Sequence, residues 1–143
     1  MFGESYILGQ KNIGIDTKGR IILPGFTHAE ENDKVLICLS EDRKYFRIFS
    51  KNNITRILDE MIEKQKTIYD LEILKSITYQ MQQFQSLFVC ECDIDKQRRI
   101  LLPQQLRDDL KLKDELYICG STEFYQPCLD VYSKKEDMVK RLN

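Results

Sequence analysis

The sequence predicts an α+β protein that is mainly β: two copies of one strand-rich unit closing together as a barrel, a helical connector between them, and a C-terminal helix. Three observations carry that prediction. The string DTKGRIILP at 16–24 returns as DKQRRILLP at 95–103. Segments rich in Val, Ile, Phe and Tyr, the residues that favour strands, follow both copies. Between the copies the apolar residues change to helical spacing.

The repeat extends well beyond nine residues. With Asp16 aligned to Asp95, Ile15 falls on Ile94, Arg20 on Arg99, Ile21 on Ile100, Leu23 on Leu102 and Pro24 on Pro103. Further along, DKVLICLS (33–40) matches DELYICGS (114–121), and IFSK (48–51) matches VYSK (131–134). The chain is an internal duplication, with 1–52 as the first half, 53–86 as the connector and 87–143 as the second half with its terminal helix.

Each element follows from local chemistry. Ile13 and Ile15, then Asp-Thr-Lys-Gly, then Arg20 to Leu23 read as strand, tight turn, strand, with Gly19 free to take a positive φ. Pro24 ends the second strand because it has no N–H to donate. Lys34 to Leu39 and Tyr45 to Phe49 supply two more strands. In the connector, Asn53 is placed to cap a helix with Ile54, Ile57, Leu58, Met61 and Ile62 on one stripe. A second helix fits from about Asp70, with Leu71, Leu74, Ile77, Met81, Phe84 and Phe88 aligned, although no Gly or Pro separates it from the first. The second half repeats the pattern as strands at 87–94, 99–102, 115–119 and 129–132 and a helix at 134–142. Four short strands bury too little apolar area to stand alone, so the duplication has a physical reason: interleaved, the two halves complete one pseudo-two-fold barrel.

Composition narrows the function classes. With 143 residues, 42% of them hydrophobic and 31% charged, the chain fits one compact domain or two very small ones, and nothing in it suggests disorder. No basic-then-apolar leader and no bilayer-length apolar run occur, which points to a soluble, cytoplasmic protein. The five cysteines are then expected as reduced, mostly buried thiols, including Cys90 and Cys92, whose spacing is not that of a zinc knuckle. His28 is the only histidine and no nucleophile is marked beside it, so the expectation is a non-enzyme without cofactor or metal. A net charge of −1 means that any basic surface is local.

The turns supply such surfaces. Between Asp95 and Arg107 stand Lys96, Arg98, Arg99 and Arg107 against one acid; the first copy has Lys18 and Arg20 against Asp16, with Lys11 nearby, a weaker patch. An acid four residues before an arginine suits a brace that holds the guanidinium fork in one orientation. Arginines fixed on rigid turns match phosphate oxygens and guanine edges. The bland alternative is a wet, basic hairpin tip; the charge run RDDLKLKDE likewise reads as a solvated face.

These residues resemble a known family. MFGE with Tyr6, D-x-K-G-R-I-x-L-P at 16–24, the second D-K-Q-x-R-I-L-L-P with Leu106-Arg107, Cys92 three before Asp95, and the late DVYS look like MraZ, within the AbrB-like superfamily. The resemblance implies a duplicated AbrB-like swapped-hairpin β-barrel. It implies a transcriptional regulator of the bacterial division and cell-wall gene cluster, usually a repressor, bound in the nucleoid to tandem repeats of double-stranded promoter DNA as a ring-shaped homo-oligomer. The signature acids and arginines fall on Asp16 and Arg20 and on Asp95 and Arg99. The DNA-contacting set is then Lys18, Arg20, Lys96, Arg98, Arg99 and Arg107, oriented by Asp16 and Asp95. This chain departs from the family pattern at Arg98, where a turn glycine is usual, and at GFTHAEEND, where Thr27 and His28 replace a helix bearing an arginine. The other reading is an AbrB-like protein-interaction adaptor working through the apolar helices of 54–88.

Overall fold

The strands that flank the two repeated turns find their partners far away in sequence, not across the turn. The computed structural model describes residues 1–142. Its elements are β1 (Gln10–Gly14), β2 (Arg20–Ile22), a 3-10 turn (Gly25–Thr27), β3 (Lys34–Leu39), β4 (Phe46–Ser50), α1 (Lys51–Gln65), α2 (Leu71–Ser86), β5 (Phe88–Asp93), β6 (Arg99–Leu101), α3 (Gln104–Asp109), β7 (Glu115–Glu123), β8 (Gln126–Tyr132) and α4 (Lys135–Leu142). The α+β, mainly β class holds.

Six strands form one sheet in the order β1-β7-β8-β4-β3-β5, and β2 pairs with β6 in a separate two-stranded ribbon. All pairings are antiparallel. Exchange β1 with β5, β2 with β6, β3 with β7 and β4 with β8, and the order reads the same backwards. This corrects the expected local hairpins: β1 and β2 flank the first turn but pair with β7 and β6. The turn is closed by only two backbone bonds, Asp16 N to Arg20 O and Gly19 N to Asp16 O, both 3.0 Å.

The core shows the same exchange. Ile21 and Ile100, Leu23 and Leu102, Val35 and Leu116, and Ile37 and Ile118 are buried in one cluster beneath the sheet and the ribbon. At about 1.5–3 kcal/mol per buried aliphatic side chain, neither set of strands could be removed without opening the other's core. On the opposite side, α1 and α2 cover the sheet through Phe49, Ile54, Phe84, Phe88 and Phe124, with Phe84 edge-on to Phe124 at 4.6 Å between centroids. Across the centre, Arg47 of β4 is in register with Asp130 of β8. Both are buried, their Nε and Oδ1 atoms lie 3.5 Å apart, and Arg141 of α4 also pairs with Asp130.

Several boundaries differ from expectation for identifiable reasons. Helix α1 starts at Lys51, directly off β4, with Ser50 in the capping position. Asn53 is therefore inside the helix, buried, and its Nδ2 donates to Gly3 O at 2.9 Å. The two connector helices are distinct: Asp70 caps α2 by accepting from the N–H groups of Glu72 and Ile73. Strands β7 and β8 run longer than expected because Phe124 and Tyr125, at φ 54° and 63°, make a two-residue hairpin without the Asn-Gly that usually marks one. The run read as a solvated face, 107–115, is largely exposed at Asp108, Asp109, Lys111, Lys113, Asp114 and Glu115; the unexpected element is α3 at its edge, whose Leu106 is buried while Gln104 and Gln105 bond Asp108 and Asp109 four residues on.

Candidate nucleic-acid interface

The two repeated turns have one geometry in two sequences. In the first, Asp16 Oδ1 accepts from the backbone N–H groups of Lys18 and Arg20 at 2.9 and 2.8 Å, and Oδ2 accepts from Arg20 Nε at 2.7 Å. In the second, Asp95 Oδ1 accepts from Gln97 N and Arg99 N at 2.9 and 2.8 Å, and Oδ2 from Arg99 Nε at 2.8 Å. The brace expected between acid and arginine is present in both. Its backbone half had no counterpart in the sequence reading: each aspartate also ties down its own turn.

This bonding holds Asp16 well below the usual carboxylate range, at about 2, chiefly through the Arg20 backbone N–H and then through its side chain. Asp95 is lowered by the equivalent contacts of Arg99. Both acids are thus charged at neutral pH. Among the described residues only Nε of each arginine is taken, which leaves the terminal nitrogens of Arg20 and Arg99 as donors for an anion.

The turns are stitched to each other. Leu23 N donates to Arg98 O at 2.8 Å, and Leu102 N donates to Gly19 O at 3.0 Å, so each turn ends the other half's ribbon strand. Gly19 has φ +90°, and a Cβ there would lie 2.4 Å from Arg107 Cζ and 2.7 Å from its Nε. Arg107, carried by α3 of the second half, therefore lies flat on the first turn, with its Nε donating to Leu102 O at 3.2 Å. This redistributes the charge counted from sequence. Arg107 joins Lys18, Arg20 and Asp16; Lys96, Arg98, Arg99 and Asp95 form the other cluster. Each has three cations and one acid, and the first patch is not the weaker.

Arg98 takes φ 61°, so the second turn keeps the shape of the first at the cost of a left-handed non-glycine residue. The contact that makes glycine obligatory in the first turn is missing in the second: the repeat position of Arg107 is occupied by His28, exposed at the end of the 3-10 turn. Arg98 itself extends over Gly25, its Nη1 3.3 Å from where a Cβ would stand.

The remaining candidates are inert or lie elsewhere. All five cysteines are free. Burial pushes Cys38 and Cys128 up to about 12. Cys90 and Cys92 face one another at 3.7 Å, and Cys90, half-buried, is the more acidic of the two because the Cys92 thiol bonds to it. Among the described residues no helix is long and apolar enough to cross a membrane.

Comparison with known proteins identifies the family. Residues 89–136 match the family model described as "MraZ protein, putative antitoxin-like". "Transcriptional regulator MraZ" of Caldanaerobacter subterraneus subsp. tengcongensis is 30% identical over 136 residues, covering 92% of this chain and 90% of the relative. The protein of the same name from Thermoanaerobacter pseudethanolicus is 30% identical over 130 residues, covering 90% and 82%. That of Ureaplasma urealyticum serovar 10 is 28% identical over 119 residues, covering 83% and 78%. The chain belongs to the MraZ family.

Proposed function

We propose that this protein is a sequence-specific DNA-binding transcriptional regulator that represses a cell-division and cell-wall operon by binding tandem promoter repeats. The observation that carries the reading is the pair of aspartate-braced arginines, Arg20 and Arg99, at opposite ends of one ribbon, each inside a cluster of three cations. A net charge of −1 does not oppose it. Fixed local cations meet phosphates, and several copies acting together multiply weak contacts through effective concentration. Within the clusters Arg20, Arg99, Arg98 and Arg107 contact phosphates or guanine edges, Lys18 and Lys96 contact phosphates, and Asp16 and Asp95 orient the arginines.

The palindromic strand order supports reading the chain as a duplicated swapped-hairpin barrel in which 1–52 and 87–143 each supply half. The protein then acts in the cytoplasm, on the nucleoid, as a ring of identical subunits. Leu71, Ile73 and Tyr79 of α2 are exposed apolar side chains, available for contact between neighbouring subunits.

Fluorescence anisotropy with a duplex from upstream of the protein's own gene, beside a shuffled duplex at two salt concentrations, tests the function. Preference for the native duplex, with log affinity falling steeply in log salt, is expected. Equal and feeble binding to both would overturn it.

A further inference from the structure

The β2–β6 ribbon carries a second kind of side chain on the face that holds the arginines. Ile21 and Ile100 turn inward and are buried at 1% exposure each, so alternation puts Arg20 and Ile22 of one strand, and Arg99 and Leu101 of the other, on the outer face. Ile22 is 53% exposed and Leu101 56%. In register, Arg20 stands opposite Leu101 and Ile22 opposite Arg99. The outer face is a checkerboard in which each aliphatic residue has an arginine beside it both along and across the strands.

A single exposed aliphatic side chain needs no explanation. These two occupy equivalent positions in both halves of the duplication, between the two basic clusters. They are also rigidly placed, because the bonds from Leu23 to Arg98 and from Leu102 to Gly19 pin the ribbon at both ends.

The geometry points to Ile22 and Leu101 as specificity-determining residues that pack on thymine C5-methyl groups in the major groove. This inference rests on the DNA-binding reading and adds what the ribbon recognises. A two-stranded ribbon fits the major groove, which is about 12 Å wide, and the thymine methyl is the apolar group displayed on its base edges. The surrounding donors select this occupant over an apolar protein surface: covering the aliphatic pair with apolar protein would strip water from the terminal nitrogens of Arg20 and Arg99, which their aspartates do not reach, without giving them acceptors, which is costly. Phosphates on either side of the groove supply those acceptors instead.

The test is a cycle between side chain and methyl. Affinity is measured by anisotropy for the unaltered protein and for Ile22→Ala/Leu101→Ala, each against the native upstream duplex and the same duplex with deoxyuridine replacing thymidine. The unaltered protein loses affinity on uracil DNA by about fourfold for each buried methyl, and the variant binds both duplexes alike. Ile22→Val, which keeps a shorter aliphatic side chain, retains part of the discrimination. Equal binding of thymine and uracil duplexes by the unaltered protein would overturn the inference. So would an undiminished thymine preference in the double variant, which would trace the effect to DNA shape. Loss of all salt-dependent binding by the unaltered protein would instead bring down the DNA reading itself, and the inference with it. Both positions are exposed, so melting and oligomer mass remain those of the unaltered protein; a variant that fails to fold would contradict the solvent-facing placement on which the inference depends.

Discussion

Replacing Gly19 with alanine strikes the place where Arg107 of the second half lies against the first turn. Two costs follow from the geometry. Holding a non-glycine residue at φ +90° costs about 1–2 kcal/mol. The new Cβ would also stand 2.4 Å from Arg107 Cζ, so the guanidinium must leave, giving up its 3.2 Å bond to Leu102 O, a loss of about 1–2 kcal/mol. Together the variant should be less stable by about 2–4 kcal/mol, readable as a lower urea midpoint. DNA affinity should fall as well, because Arg107 no longer lies in the first cluster. A double-mutant cycle separates the two costs. In an Arg107→Ala background the collision is gone, so Gly19→Ala should cost only the backbone share, with a coupling of about 1–2 kcal/mol. Arg98→Gly is the reciprocal change: it relieves the left-handed arginine in the second turn, leaves stability nearly unchanged or slightly raised, and weakens DNA binding. If Gly19→Ala were as stable as the unaltered protein, or the cycle showed no coupling, Arg107 would not lie on the first turn.

Asp130→Ala should destabilise by about 1–3 kcal/mol in chemical denaturation, because it removes the buried carboxylate facing Arg47 while Glu41 and Glu123 still pair with the guanidinium; Arg47→Met/Asp130→Leu together should recover most of that loss. Iodoacetamide at mildly alkaline pH should label Cys90 ahead of Cys38 and Cys128, read by peptide mass mapping, since burial keeps the latter two protonated up to about 12; uniform labelling would contradict the burial. Asp16 has a depressed folded pKa, so its contribution to stability is complete above the ordinary carboxylate value of about 3.9 and is lost as pH falls through about 2. A carboxyl NMR titration should find that low midpoint, and Arg20→Ala should raise it only part of the way back, because the backbone N–H of residue 20, the largest cause, remains. A midpoint near 3.9 in the unaltered protein would mean that the turn is not bonded as described.

Much of this molecule was legible in its sequence because it is written twice. Asp16 and Asp95, Arg20 and Arg99, the strands that follow them and the two connector helices all carry local signals. What the sequence did not disclose is non-local. An Asp-Thr-Lys-Gly turn between aliphatic runs looks like a hairpin whether its strands pair with each other or, as here, with strands roughly eighty and a hundred residues away. Arg107 is near Asp95 in sequence but lies on Gly19 in space, so counting charges along the chain made the two clusters unequal. Helix α3 has six residues, too few for a period to show, and its Pro103 reads equally well as the end of a strand. Ile22 and Leu101 sat in apolar runs where no sequence signal separates the inward isoleucine from its outward neighbour. The register with the partner strand decides that.

The central claim is that the two braced turns are the DNA contact. Its most direct test is the dependence of log affinity on log salt for the unaltered protein and for Arg20→Ala/Arg99→Ala, on duplex DNA from upstream of its own gene. Both arginines are partly exposed, so losing their pairs leaves the fold nearly as stable as before. The expected result is a steep line for the unaltered protein and one shallower by about two for each chain bound, at reduced affinity. Equal slopes and affinities would contradict the claim and leave the duplicated turns as architecture alone.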